Sequence, residues 1–174
     1  KIKIKNTIGK IAGYNKNFKT KRFSFYINVF SDKIILASKN KLLYLDIDKL
    51  YQKEIFAEVF VDNLIEDIDI KDAIINDNEI YISYTKINKK KNCNNLILSK
   101  AIINFKELEF NKIIQFDECA NNIQAGKIEI LDKNKILITT AGDILALKEF
   151  DPKPQDDNSI FGKIILIDEI KKSY

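Results

Sequence analysis

The side chains able to do chemistry are few, and what is missing narrows the choices. The chain contains no histidine, which removes the commonest general base and the commonest transition-metal ligand. Without it no conventional Ser-His-Asp or Cys-His arrangement can be assembled. Cys93 and Cys119 are the two cysteines, too few for a four-thiolate zinc site. Oxygen ligands do cluster, as Asp151, Asp156, Asp157 and Asn158 around Pro152 and Pro154. An EF-hand needs carboxylates at alternate positions, a central Gly and a closing Glu. That spacing is absent, so the cluster reads as a proline-stiffened surface loop carrying an Asx turn. Glu66, Asp67 and Asp69 read as solvated acids in a connection between strands. Gly9 and Gly13 stand alone, so no glycine-rich phosphate loop is present.

Charge excludes further classes. Lys and Arg number 29 against 25 Asp and Glu, a net charge of +4, and Arg22 is the only arginine. Readers of nucleic acid depend on arginine forks for base edges and phosphates. Here the lysines mingle with Ile and Asn and form no basic stripe, so no nucleic-acid partner is expected. The run from Lys86 to Lys91 reads as a solvated loop. With 174 residues, 45% of them hydrophobic and 31% charged, the chain can build one ordinary core. No apolar run approaches the length of a membrane-spanning helix. The chain starts at Lys1 and has no Met, which is read as a removed leader or a piece of a longer protein.

The elements that must position these groups are strands. Helical periodicity is scarce; what recurs is a short apolar strand, a polar turn and a second strand rich in β-branched residues. Three copies stand out, Phe25 to Ser38, Asp72 to Ser83 and Lys127 to Thr139, each with Asp, Asn or Ser at its tip. Ile34, Ile80 and Ile136 occupy matching places, 46 and 56 residues apart. Two more strands follow the middle hairpin, Asn95 to Ile103 and Phe110 to Glu118. Asp46 to Tyr51 is read as a loop. A recurrence of this size with about four strands per unit points to propeller blades; an ordinary β-sandwich is the alternative. The expected fold is therefore all-β, a partial β-propeller of about three four-stranded blades and a fragment, with blade-like units at about 20–64, 65–120 and 121–168. These are too few to close a ring, so a single domain that is part of a larger propeller, or that pairs with another copy, is expected. Ile34, Ile80 and Ile136 are expected at equivalent buried positions. Open blade edges would favour self-association.

Folding Asn95 to Ile103 back on Phe110 to Glu118 sets a register. Leu96 then faces Phe116, Leu98 faces Ile114, Ile102 faces Phe110, and Lys100 awkwardly faces Lys112. All three apolar pairs share one face, which is what pins a register. The same register brings Cys93 to Cys119 at about 4.5–5.5 Å between Cα atoms, a separation that a disulfide accepts. Two free thiols are the alternative reading.

Three segments carry a resemblance: Ile123-Gln-Ala-Gly-Lys-Ile128, Lys135-Ile-Leu-Ile-Thr-Thr-Ala-Gly-Asp143 and Pro154-Gln-Asp-Asp-Asn-Ser-Ile-Phe-Gly-Lys-Ile-Ile-Leu-Ile-Asp168. In order and spacing this stretch, 123–168, resembles the soluble glucose/sorbosone dehydrogenase family. Those proteins are six-bladed propellers, usually periplasmic, that oxidise aldoses with pyrroloquinoline quinone, often with calcium. The family pattern there reads His-Asn-Gly-Gly-Arg, then Thr-Gly-Asp, then Gln-Asp and Ser-x-x-Gly-Lys-Ile-x-Arg-Ile-Asp. The resemblance implies Asp143 as the acid that orients the catalytic base, and Gln124 and Lys127 at cofactor-binding positions. It also implies a sugar ligand and a periplasmic or extracellular location, with which a disulfide agrees. The departures are chemical. The catalytic histidine position holds Ile123, which cannot accept a proton. The family arginines fall at Lys127 and Leu166, and its earlier Gln-Gly-Gly falls near Asp67-Ile68-Asp69. The expectation is a sugar dehydrogenase-like propeller that does not turn over on its own; the alternative is a non-catalytic binding or structural module.

Overall fold

A computed structural model describes residues 25–38, 41–51, 58–60, 62–64, 68–121, 123, 125–141 and 153–171. The described elements are strands apart from short 3-10 turns. The first sheet contains β1 (Phe25–Phe30), β2 (Lys33–Ser38), β3 (Lys41–Asp46) and β4 (Glu58–Val59). The second contains β5 (Ile68–Asn76), β6 (Glu79–Asn88), β7 (Cys93–Ile102) and β8 (Asn111–Ala120). The third contains β9 (Ile128–Asp132), β10 (Lys135–Thr139) and β11 (Ile164–Asp168). Within every sheet the spatial order follows the chain and all pairing is antiparallel. Such meanders arise when β-branched strands are joined by turns too short for a crossover. Ser31 and Asp77 meet that demand by taking positive φ at the hairpin tips, a conformation that Asp tolerates better than most residues. Asp46 to Tyr51 departs from the expected loop, since Asp48–Tyr51 winds into a 3-10 turn.

The sheets stack face to face. Ile35, Ala37, Leu42 and Phe60 of the first sheet and its margin pack on Ile70, Ile80, Ile82 and Ile97 of the second. The opposite face of the second presents Tyr81, Leu96, Leu98 and Phe116 to Ile128, Ile136, Ile138 and Ile167 of the third. Central strands with both faces covered carry near-continuous apolar runs, as Ile80 to Tyr84 does. β1 lies alongside β5, and β5 alongside β9, so the first strands of the sheets come together. This is the blade-like arrangement of a partial β-propeller.

The three matched isoleucines are equivalent. Each is the second residue of the second strand of its sheet, and each points to the same side of the stack. Ile80 faces the first sheet and Ile136 the second, both fully buried. Ile34 faces away from the second sheet, beside Leu36, Leu43 and Leu45, and is half-buried. Its burial departs from expectation because it lies on an end face.

The β7–β8 register is the expected one only in the middle, where Leu98 pairs with Ile114 and Ile97 with Gln115. Irregularities on both sides shift it. Lys112 then faces Ser99, and Lys100 faces Asn111, which removes the like-charge pair. Lys100 instead reaches Glu169 at 2.8 Å and Glu79 at 3.4 Å, with its ammonium over the Tyr81 ring. Burial opposes charge on Lys100, but the Glu169 carboxylate overrides it and the ammonium pKa rises. At the other end Cys119 pairs with Asn95 rather than Cys93. The cysteines still form a disulfide, diagonally, with Cα atoms 5.7 Å apart.

Candidate functional site

Near the junction of β1, β5 and β9 the polar side chains of Asp72 on β5 and Ser83 on β6 are buried. The β5 sequence, Ile-Asp-Ile-Lys-Asp-Ala-Ile-Ile-Asn, alternates until Lys71 and Asp72, where two charged residues adjoin. The β5–β6 register shifts there, between Ile70 and Asp72. A bulge of this kind re-aims the side chains that follow it. Asp72 is thereby turned toward the third sheet, paired with Ser83 and 1% exposed.

A buried carboxylate must find donors or cost several kcal/mol. Asp72 accepts the backbone N–H of Ile128 at 2.8 Å and pairs with the Lys127 ammonium at 3.4 Å. Ser83 donates to the carbonyl of Gly126. Gly126 has φ near +150°, and a Cβ there would stand 2.6 Å from the Cβ of Lys71, so only glycine fits this approach. Lys71 pairs with Asp69 at 2.7 Å. On β1, Asn28 donates to the Ala73 carbonyl at 2.9 Å, which ties the first sheet to the same point. The Tyr26 phenol has its pKa raised, first by burial and then by the negative charges of Asp72 and Asp69; it stays a neutral donor at physiological pH. Replacing Asp72 with Ala should lower stability by about 2 kcal/mol, because the Ile128 N–H then loses its acceptor inside the core. Urea unfolding checks this, and an unchanged midpoint would refute the role given to Asp72.

This arrangement joins sheets before it does anything else. Its one group largely free for a ligand is Lys127, whose side chain is 71% exposed. The strongly exposed ammonium, which pairs with Asp72, can also hydrogen-bond a polyol or an anion on its open side. Among the described residues no group of three His, Cys, Asp or Glu side chains converges on a cation.

Of the residues expected from the sequence, some are described and some are not. Lys127 is in the cluster. Gln124 and Asp143 lie outside the described residues. Ile123, at the expected histidine position, is 1% exposed and packs with Phe116, Leu98 and Ile128; it is a core residue. Leu166, at an expected arginine position, stands on the far face of the third sheet, paired with Leu137. Of the acidic loop, Asp156 accepts the Asn158 N–H at 2.9 Å, the Asx turn that was expected. Asp151 and Pro152 lie outside the described residues. The lysine run ends in an exposed turn, Lys89 to Asn92, with Asn88 accepting the N–H groups of Lys90 and Lys91. Sequence reasoning passed over Asp72, Ser83 and Gly126. The doubled charge Lys71-Asp72 inside an alternating strand was the available signal.

No helix among the described residues is long and apolar enough to cross a membrane. No family model, curated protein or solved structure matches the chain.

Proposed function

We propose that the chain is a sugar dehydrogenase-like propeller segment that does not catalyse sugar oxidation by itself and serves as a binding or structural module. The observation that carries this reading is Ile123. Where the resembled family places its general base, this chain has an aliphatic side chain sealed in the core. General-base assistance contributes roughly 10²–10⁴ in rate, and no neighbouring histidine can substitute because none exists. Lys127 supports the same reading, since a lysine stands where the resembled family has an arginine and offers no guanidinium fork. What remains suited to a ligand is the open side of the exposed Lys127 ammonium, chemistry that fits a sugar hydroxyl or a small anion. A periplasmic or extracellular location is part of the proposal, supported by the Cys93–Cys119 bridge, because such bonds persist in oxidising compartments.

The test is dye-linked glucose oxidation with added pyrroloquinoline quinone and calcium. The expected result is a rate equal to the protein-free control, with no tight quinone complex in an absorbance titration. Turnover above that control, or stoichiometric quinone binding, would overturn the proposal.

A further inference from the structure

The described surface has its exposed aliphatic side chains in an uneven pattern. Eight large hydrophobic residues are strongly exposed, and five of them stand on the two end faces of the sheet stack. Ile27 and Val29 are on the first sheet, on the side turned away from the second. Leu131, Ile164 and Leu166 are on the third, beside Leu137, also turned away from the second. Apolar side chains gathered on one face mark an interaction surface more often than scattered ones do.

The internal repeat indicates what fits each face. At both junctions inside the chain the same two sides meet. The side bearing Ile35 in the first sheet packs on the side bearing Ile80 in the second. The side bearing Tyr81 in the second packs on the side bearing Ile136 in the third. Ile35, Tyr81 and Leu137 are equivalent, each the third residue of its strand. Leu137 is half-buried where the other two are buried, and among the described residues no sheet covers it. Ile34, Ile80 and Ile136 are the complementary set, and Ile34 is the one half-buried. The Leu137 face therefore calls for an Ile34-type face, and the chain has one at its other end.

We propose that two copies of this chain assemble head to tail, the third sheet of each packing on the first sheet of the other, to close a ring of six sheets. The contact is heterologous, and such contacts close into rings or run on as fibres. Convergence of β1, β5 and β9 on one side of the stack gives the sheets the fan arrangement that closes. Propellers hold roughly four to eight blades, and with three sheets among the described residues of each copy two copies fall in that span. Size also favours closure. Three strands about 4.8 Å apart, each of five residues at about 3.3 Å, cover only about 250 Å² in projection. That is well short of the roughly 800 Å² per partner of a standard interface, and a closed pair makes the contact twice. The assembly does not depend on whether the chain is catalytic.

Sedimentation equilibrium of the 174-residue chain at micromolar concentration is expected to give twice the monomer mass, constant as concentration rises. The paired change Ile164→Lys and Leu166→Lys should halve that mass, and so should Ile27→Lys with Val29→Lys, far-UV circular dichroism remaining unchanged. Should either lysine pair disturb folding, Thr at the same positions keeps strand propensity while removing much of the apolar contact. A monomeric wild-type chain would overturn the proposal. So would a mass that climbs past the dimer, or a dimer indifferent to the Ile27 and Val29 changes, which would mean that the third sheets pair with each other.

Discussion

Replacing Cys93 and Cys119 together with Ala is expected to lower the free energy of unfolding by about 3 kcal/mol. The two residues are 26 apart, and closing a loop of that length restricts the unfolded chain by about that amount in the chain-entropy account. Both side chains are half-buried, so the loss of packing adds little. The bridge ties down a place that the strands hold poorly, because the β7–β8 register shifts between Asn95 and Ile97. Asn95, buried there, spans the irregularity by donating to the Phe116 carbonyl at 2.8 Å. Urea denaturation of the wild type and the double variant measures the difference, and adding a reductant to the wild type should reproduce it. Equal midpoints would show that the bridge contributes nothing. A maleimide reagent should find no thiol in the unreduced, denatured wild type.

Replacing Ile123 with His is expected to destabilise by about 3–5 kcal/mol and to restore no sugar oxidation. The change removes an aliphatic side chain whose full burial stabilises by about 1.5–3 kcal/mol. It also places an imidazole N–H among Phe116, Leu98 and Ile128, where an unpartnered donor costs about 1–3 kcal/mol. Burial disfavours the imidazolium, so the folded-state pKa of the new side chain falls below its unfolded value. The unfolded chain then binds the extra proton, and the deficit grows as pH drops below about 6.5. Urea unfolding at pH 8 and pH 5 reads both effects. A variant as stable as the wild type, with an imidazole titrating normally by NMR, would place position 123 at an open site and remove the main support for a non-catalytic module.

Much of the architecture was legible in the strand pattern. The hairpins from Phe25 to Ser38, Asp72 to Ser83 and Lys127 to Thr139 form, because two apolar runs around a short Asp-, Asn- or Ser-bearing turn leave an antiparallel pair as the one way to satisfy the backbone. The cysteine pairing was legible for a related reason. Hydrophobic alternation fixes which residues share a face, and it brought Cys93 near Cys119 although the local register is two residues away from the expected one. Of the irregularities only the one at Lys71-Asp72 left a mark, the doubled charge in an alternating strand. Those in β7–β8 were not legible, since an unpaired residue costs a ladder hydrogen bond that only neighbouring contacts can offset. The Lys71-Asp72 bulge is repaid by a second-strand serine and by the N–H of a residue 56 positions on.

The site was less legible than the fold. Ile123 ruled out a general base by its atoms alone, because no environment makes an aliphatic side chain accept a proton. That Ile123 is sealed in the core, and that Lys127 turns to Asp72, depends on how the second and third sheets meet. By itself the sequence determined the strands, their pairing into hairpins, the threefold repeat and the absence of histidine chemistry. These depend on residue type and on contacts a few positions apart. The tertiary structure alone decided the packing side of each sheet, the burial of Asp72 and the exposure of Leu131, Ile164 and Leu166. Period-two alternation specifies that a strand has two faces, and in a stack of sheets both can be apolar, so which one is covered depends on residues far away along the chain.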